Sequence, residues 1–376
     1  MFIVAHAGAR VWGGAERSVA LLLQGLQQRG HRVLLLCNDP VVADPARALG
    51  VPAEILPLGG DASLHHAARL AWRLRRLRPD VLLVGMFKKV WLAGLAGRMA
   101  GVPRVVARVG LETDIPRNLK YRAAFRRLVD HVVVVAERLR PGYTALPGYG
   151  LGRVSVIPNA VRTPVSLLSR EAIRARMDIP ADAGCVGAVA RLVGQKRLDR
   201  LVDAVARLPP DVHCVLAGDG LLRPALERRA ARLGIAGRVH FPGYQREVGE
   251  VLPALDLFVA TSDQEGMSNA MLEALAAGVP VVSTDVSGTD EALRPGRDGT
   301  APGVVVGFEV DALADAMRAL LQDDERREAM AHAARRRSRA FAFPGVLDAW
   351  ERVLAGEPAD FRVEETRARD EVLVGA

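Results

Sequence analysis

Residues 257–284 decide the fold and read LFVATSDQEGMSNAMLEALAAGVPVVST. Short apolar runs at residues 257–260 and 281–284 are typical of buried strands in a parallel sheet. Between them, the strong helix formers at residues 270–277 predict a helix of about two to three turns. The stretch therefore predicts a complete strand–helix–strand unit of an α/β protein.

The predicted helix has clear limits. Ser268 or Asn269 can cap its start, and Gly278 followed by Pro280 ends it. The polar residues 261–268 consequently lie where a strand leads into a helix N-terminus. Open parallel sheets bind their ligands at this place.

Two glutamates flank the start of this helix, with Glu265 in the loop and Glu273 in the second turn. Gly266 and the backbone amides of residues 267–269 would let an anionic ligand approach closely. The alternative is that both acids are ordinary surface residues, because glutamate near a helix start interacts favourably with the helix dipole.

The run resembles the C-terminal signature of the retaining "group 1" (family 4) glycosyltransferases, in which two glutamates bracket seven residues. The resemblance continues through AAGVPVVSTDVSG at residues 276–288. It implies an α/β fold of the GT-B type, with two Rossmann-like doubly wound domains that face a central cleft. In that family the first acid contacts the donor sugar and the second contacts the ribose hydroxyls, which implies these roles for Glu265 and Glu273.

The resemblance also implies the reaction, which moves a sugar from a nucleoside diphosphate sugar to a hydroxyl of a sugar or lipid-linked acceptor. It implies a place in bacterial cell-surface glycan synthesis (lipopolysaccharide, capsule or exopolysaccharide) or in glycolipid synthesis. The donor site that it implies includes Gly266, Met267, Ser268 and Asn269.

Residues 187–197, GAVARLVGQKR, form a second candidate site. Arg191 and Lys196 lie beside a predicted helix N-terminus, where a cation is unfavourable by up to about 1 kcal/mol. Their position favours a bound anion, although a solvated charged turn would also explain it. In the family an arginine and a lysine at these places hold the donor diphosphate, so we expect both to act in catalysis with Glu265. Gly218, in AGDG at residues 217–220, matches the next strand end of the family's donor domain.

A third candidate site is WGGAE at residues 12–16, which follows the first predicted strand of the N-terminal domain. Gly13 and Gly14 would allow close backbone approach to a phosphate or sugar, although a tight turn is an equal alternative. The family carries a similar GG-x-E motif there, which faces the cleft from the N-terminal domain. The resemblance therefore implies that Gly13 and Gly14 take part in donor binding. His6 ends the first strand in the same region.

The sequence departs from the family where the acceptor binds. Many relatives have a histidine after the fourth or fifth strand of the first domain, but residues 84–89 and 108–112 contain none. The polar acceptor candidates are His6, Lys88, Lys89, Arg108, Glu112 and Asp114. Because the chain has no Asp-x-Asp motif and no His/Cys metal-ligand spacing, we expect neither a metal nor another cofactor.

Strands and helices alternate along the chain, as in a doubly wound fold. Predicted strands are residues 2–5, 32–37, 81–84, 105–109 and 131–135, with helices at 15–29, 65–77, 90–100 and 119–129; a second series begins with strands 185–190, 213–217 and 239–241. We predict an acceptor-side domain at residues 1–163 and a nucleotide-sugar domain at 164–340. Residues 341–376 are then a helix that returns to the first domain, followed by a charged tail.

Composition excludes several other classes of protein. The net charge is +8, but 47 of the 51 basic residues are arginine, and no aromatic–basic alternation or zinc spacing indicates nucleic-acid binding. Cys37, Cys185 and Cys214 are odd in number and fall in or beside apolar runs, as in reduced cytosolic proteins. The N-terminus lacks the features of a signal peptide, so we expect a cytoplasmic protein.

Residues 65–78 and 117–127 combine Arg or Lys with Leu, Trp, Tyr and Phe at helical spacing. This pattern fits contact with an anionic membrane surface at the inner face, although ordinary amphipathic helices would look similar. A nucleotide-sugar epimerase on the same fold is an alternative function. A dehydrogenase is another, but neither glycine-rich turn has the G-x-G-x-x-G spacing with an acid about 20 residues further on.

Overall fold

The computed structural model describes residues 1–9, 11–60, 63–85, 87–116, 118–147 and 149–361. They form two compact units. The first unit contains Met1–Ala160 and the segment that starts at Phe343, and the second contains Val161–Ala342.

The first unit is built on a seven-stranded parallel sheet. Its strands are β1 (Phe2–Ala7), β2 (Arg32–Cys37), β3 (Ala53–Ile55), β4 (Val81–Val84), β5 (Arg104–Val109), β6 (His131–Val134) and β7 (Val154–Val156). In space they follow the order β3-β2-β1-β4-β5-β6-β7, so the order reverses between β1 and β4. The carboxyl ends of the strands beside such a reversal form the usual ligand crevice of an open parallel sheet.

Helices cover this sheet. They are α1 (Gly14–Gln28), α2 (Pro40–Ala48), α3 (Leu64–Leu77), α4 (Val90–Ala100), α5 (Leu119–Leu128) and α6 (Arg140–Thr144). The strands β1, β4 and β6 are buried along their whole length, as expected for a sheet with helices on both faces.

The second unit repeats this plan with six parallel strands. They are β8 (Gly184–Val189), β9 (Val212–Ala217), β10 (Val239–Gly243), β11 (Leu257–Ala260), β12 (Val281–Thr284) and β13 (Gly303–Val306), in the order β10-β9-β8-β11-β12-β13. The helices are α7 (Arg170–Ala175), α8 (Leu198–Val205), α9 (Arg223–Arg232), α10 (Asn269–Ala277), α11 (Thr289–Ala292), α12 (Val310–Leu321) and α13 (Asp324–Arg339). Here the strand order reverses between β8 and β11.

The last helix, α14 (Phe343–Ala355), packs within the first unit. Leu347 lies over Gly25 of α1, where an added Cβ would be 2.7 Å from the leucine Cδ1. Trp350 is 2% exposed in the same core. The Arg29 guanidinium binds the Glu351 carboxylate at 2.6 Å, so a small residue and an ion pair together fix this helix on α1.

The predicted α/β doubly wound class is confirmed, and β11 and β12 begin and end at the predicted residues. The elements α2, β3 and β13 were not predicted from the sequence. The helix α2 begins beside a capping Asp39 and contains Pro45, a residue that usually argues against a helix interior.

Candidate functional site

The loop between β11 and α10 is held in the predicted way. The Ser268 hydroxyl caps α10 by accepting a hydrogen bond from the Met271 amide at 3.3 Å. Gly278 ends the helix in the left-handed conformation, with φ of 78°. The loop therefore leads from the carboxyl end of β11 directly to the N-terminus of α10.

The Glu265 carboxylate is fixed by two donors on one of its oxygens. Its Oε1 atom accepts a hydrogen bond from the Ser262 hydroxyl at 2.6 Å and forms an ion pair with Lys196. The side chains of Lys196 and Glu265 are 19% and 11% exposed. Its Oε2 atom has no protein partner among the described residues, so this oxygen is available to a ligand.

Hydrogen bonds and an ion pair join the loop after β8 to the loop after β11. The Thr261 hydroxyl donates to the Lys196 carbonyl at 2.9 Å, and the Asp263 amide donates to the Gln195 carbonyl at 3.0 Å. Arg197 has φ of 47° and binds Asp263 at 3.2 Å. These contacts bring Lys196 and Glu265 together although 69 residues separate them in the chain.

Glu273 lies in the second turn of α10 and is 7% exposed. Because Glu273 is buried and Glu265 is largely buried and paired, neither is an ordinary surface acid.

A small cavity of about 20 Å³ lies at the carboxyl ends of β8 and β11. It is bordered by Ala190, Lys196, Ser262, Glu265 and Ser268, among others. The structure thus places two of the three predicted catalytic side chains, Lys196 and Glu265, and the helix cap Ser268 around one cavity, at the strand-order reversal of the second sheet.

Gly218 and Arg191 have different surroundings. Gly218 has φ of 140°, and an added Cβ would lie 1.9 Å from the Ala190 carbonyl oxygen, so this turn requires glycine. The Arg191 side chain is exposed, and its guanidinium has no hydrogen bond or ion pair in the described part of the chain. Arg191 is outside the group that lines the cavity.

In the first unit, the glycine pair opens α1. The Gly13 amide donates to the Glu16 carboxylate at 3.1 Å, so Glu16 caps the helix from its first turn. The φ of Gly13 is −132°, an ordinary extended value. The GG-x-E motif is therefore partly explained by helix capping.

His6 and Lys89 are buried acceptor candidates. His6 is fully buried, and both of its ring nitrogens have no hydrogen-bond partner within the described residues. Burial, assisted by the charge of Lys89, lowers the pKa of His6 to about 4. Lys89 is 9% exposed and donates to the Gly59 carbonyl, whereas Lys88 is exposed.

Of the other acceptor candidates, Arg108 is buried and Asp114 is partly buried. Arg108 is 7% exposed, and its Nη2 donates to the Asn159 Oδ1 at 2.5 Å. Burial lowers the pKa of Arg108 to about 10. Asp114 shares a 3₁₀ turn with Glu112 and accepts a hydrogen bond from the Leu111 amide at 3.2 Å. Burial raises the pKa of Asp114.

Two residues that position the site, Ser262 and Asp263, were not predicted from the sequence. The signal in the sequence was a hydroxyl three residues before the glutamate at a strand end, a spacing that suits a side-chain hydrogen bond across a turn. Asn159 was not predicted as the partner of Arg108.

None of the helices in the described ranges is long and apolar enough to cross a membrane.

Two family models match the chain. "Glycosyl transferases group 1" matches residues 169–337, and "Glycosyltransferase Family 4" matches residues 12–164. The first match contains the cavity with Lys196 and Glu265, and the second contains Arg108 and Asp114.

Two curated proteins match over most of their length. The lipopolysaccharide core biosynthesis glycosyltransferase LpsE of Rhizobium meliloti (strain 1021) is 29% identical over 367 residues, 92% of this chain and 97% of that protein. A D-inositol 3-phosphate glycosyltransferase of Xylanimonas cellulosilytica is 32% identical over 302 residues, 72% of each chain.

Solved structures share the fold. Anabaena Alr3699/HepE, crystallised with UDP and glucose, superposes with a TM-score of 0.82 at 21% identity, covering 94% of this chain and 99% of that one. A glycosyltransferase from Rickettsia africae ESF-5 gives a TM-score of 0.81 at 15% identity, covering 94% and 97%.

The fold prediction is thus confirmed as GT-B, and the epimerase and dehydrogenase alternatives find no support in these matches. The chain belongs to the group 1 glycosyltransferases.

Proposed function

We propose that this glycosyltransferase transfers a sugar, with retention of anomeric configuration, from a nucleoside diphosphate sugar to a hydroxyl of a sugar or lipid-linked acceptor. One observation carries the proposal: Glu265 is fixed through Oε1 by Lys196 and Ser262, beside a cavity at a helix N-terminus, and has Oε2 left for a ligand. The relative named for lipopolysaccharide core biosynthesis supports a role in cell-surface glycan or glycolipid synthesis.

The proposed mechanism depends on charge control. Departure of the diphosphate builds negative charge, which Lys196, Arg191 and the N-terminal end of α10 would stabilise. The anomeric carbon becomes oxocarbenium-like, and the Glu265 carboxylate would stabilise its positive charge. Glu273 would accept hydrogen bonds from the ribose hydroxyls.

Product analysis with UDP-, GDP- and ADP-sugars tests the proposal. The expected result is transfer from one donor class, with a product whose anomeric configuration, read by proton NMR, equals that of the donor. A product of inverted configuration would contradict retention, and no transfer or donor binding with any of the three classes would contradict the assigned donor site.

We propose that catalysis needs no metal ion, because Lys196 and Arg191 supply cationic side chains for the diphosphate. Activity is expected to survive an excess of EDTA. Strict dependence on an added divalent ion would overturn this proposal.

We also propose that the enzyme works at the cytoplasmic face of an anionic membrane, through α3 and α5. Trp72 on α3 is 57% exposed, and the Arg76 guanidinium lies 4.8 Å from its ring centroid. Leu119 on α5 is 80% exposed and is followed by the exposed Lys120. Both helices pack on α4, so they share a face of the sheet. Arg117, the first residue of the second predicted segment, lies outside the described residues.

Sedimentation with anionic vesicles at low salt tests this surface. We expect binding by the wild type and weaker binding by Trp72→Ala, while Leu221→Ala, which removes an exposed apolar side chain from the second unit, should behave like the wild type. Absence of wild-type binding would end this proposal and remove the support for a lipid-linked acceptor.

A further inference from the structure

Arg108 borders a small cavity inside the first unit. It lies near the carboxyl end of β5, and since side chains alternate along a strand it shares a face with Val106. Val106 packs in the same core as α1 and α14. Apolar side chains of these two helices, among them Leu22 and Trp350, form much of the cavity wall.

The Arg108 guanidinium is poorly matched by the protein. Its hydrogen bond goes to the Asn159 amide oxygen, a neutral acceptor, and the described residues supply no second hydrogen bond and no ion pair. Glu16 and Asp114 influence it electrostatically from a greater distance. A guanidinium has five N–H donors in a planar fork, and buried charges in proteins normally have an ionic partner. Arg108 therefore has donors left for an anionic ligand at the cavity that it borders.

The size of the cavity limits what can enter it. Its volume is about 20 Å³, whereas a cavity that holds a single water molecule needs about 10 to 15 Å³. A sugar ring is too large, whereas a small charged substituent can insert while its ring stays outside. Carboxylate and phosphate oxygens match the fork geometry of arginine.

We propose that Arg108 binds an oxyanion carried by the acceptor, either the carboxylate of an acidic sugar or a phosphate ester. This inference rests on the proposed function and narrows its acceptor to anionic molecules. Asn159 would act as a positioning residue, because its amide oxygen holds one side of the guanidinium and leaves the other side for the ligand.

Ligand-detected NMR titration with D-glucuronate, D-glucose 6-phosphate and neutral D-glucose tests the proposal without relying on turnover. The wild type should bind at least one of the two anionic sugars about tenfold or more tighter than glucose, the gain expected of a charge-assisted hydrogen bond. Arg108→Gln should abolish this preference, and Arg108→Lys, which keeps the charge but loses the fork, should retain part of it.

Arg104→Gln is the matched control. Arg104 lies on the same strand and face, four residues towards the amino end of β5, and away from the cavity. A preference for glucuronate alone would identify a carboxylate, and a preference for glucose 6-phosphate alone would identify a phosphate; both outcomes support the oxyanion site if they depend on Arg108. Equal binding of all three sugars by the wild type, or an anionic preference that survives Arg108→Gln, would overturn it.

A measurement of donor binding distinguishes a failure of the oxyanion site from a failure of the proposed glycosyltransferase function. Arg108→Gln is expected to bind the nucleotide sugar as the wild type does, and circular dichroism checks that it is folded. Efficient transfer to neutral acceptors without any anionic preference would refute the oxyanion site and leave the glycosyltransferase mechanism intact. A lack of donor binding by the wild type would refute the donor site instead.

Discussion

At the scale of single residues, Glu265 and Glu273 share a loop–helix unit but have different surroundings. Glu265 is held by Ser262 and Lys196 in the loop, whereas Glu273 is buried inside α10. A carboxylate fixed at the mouth of the site suits charge that develops during the reaction. A buried carboxylate in the second turn of the helix suits hydrogen bonds to donor groups, such as the ribose hydroxyls, that do not change during the reaction.

We therefore expect the two glutamine variants to differ in steady-state kinetics. Glu265→Gln should chiefly lower kcat, by about a hundredfold, because it removes charge stabilisation in the transition state. Glu273→Gln should chiefly raise the donor KM, by about tenfold to a hundredfold. It removes hydrogen bonds that hold the donor equally well in the ground state and in the transition state. Circular dichroism checks the fold, and small, equal effects in both variants would contradict the assignment.

Lys196 and Arg191 allow a second comparison. The Lys196 side chain is paired within the protein, whereas the Arg191 guanidinium has no hydrogen bond or ion pair in the described structure. Lys196→Ala should lower kcat as well as donor affinity, since it also leaves Glu265 without its cation. Arg191→Ala should mainly weaken donor binding, by about tenfold or more for a lost charge-assisted contact.

Isothermal titration with the nucleotide diphosphate and steady-state kinetics separate the two effects. Arg228→Ala, on the exposed face of α9, is the control and should match the wild type. Normal donor kinetics in both the Lys196 and Arg191 variants would show that the diphosphate binds elsewhere.

At the scale of elements, the sequence predicted the strands and helix ends that depend on interactions between residues close together in the chain. The strands β11 and β12 and the limits of α10 follow from apolar runs, a serine cap and a terminal glycine, all of which act within a few residues. The ion pair between Lys196 and Glu265 depends on tertiary packing of two loops, so the sequence suggested both residues but not their contact. The partner of Arg108 was missed for the same reason, since Asn159 lies 51 residues away.

The short elements that were missed have weak local signals. β3 has three residues and is held by pairing with β2, and β13 is held by pairing with β12. Their apolar patterns are too short to define a strand by periodicity alone. Neighbouring strands, rather than intrinsic propensity, thus determine the edges of both sheets.

The turn after β9 gives a prediction at this scale. Gly218→Ala would place a Cβ 1.9 Å from the Ala190 carbonyl, at φ of 140°. We expect a loss of stability of about 3 kcal/mol from strain and overlap. Donor binding should also weaken, because Ala190, which the added Cβ would displace, borders the cavity. Thermal denaturation measures the first effect.

Gly237→Ala is the control, because an added Cβ there meets no atom within 4 Å and the glycine does not require positive φ. It should leave the melting temperature nearly unchanged. A Gly218→Ala protein as stable as this control would show that the turn relaxes without cost.

At the scale of the whole molecule, the two units repeat one plan for different purposes. Each has a parallel sheet whose order reverses once, and each gathers its candidate residues at the carboxyl ends of strands. The second unit places a paired acid and cation there. The first unit places buried groups with few partners there, His6 and Arg108. Such groups lower the free energy of unfolding, unless a bound ligand supplies a partner or the pH keeps the group uncharged.

His6 makes this cost measurable through pH. Its pKa is about 4 in the folded protein, against 6.5 for an unperturbed histidine. Between these values the unfolded chain binds a proton that folded His6 does not bind, so the free energy of unfolding falls as the pH drops through this window. The slope contributed by one histidine is at most about 1.4 kcal/mol per pH unit.

His6→Leu should flatten this dependence, because leucine fills similar space and the described structure shows no hydrogen bond to the ring that would be lost. Urea unfolding at pH 7.5, 6 and 5 measures it. His131, whose pKa burial also lowers to about 4, remains in the variant and should leave a residual slope. His65→Leu, at an exposed position of α3, is the control and should keep the wild-type slope. An unchanged slope in His6→Leu would mean that His6 is protonated in the folded protein with a compensating partner, so that its burial carries no acid-dependent cost.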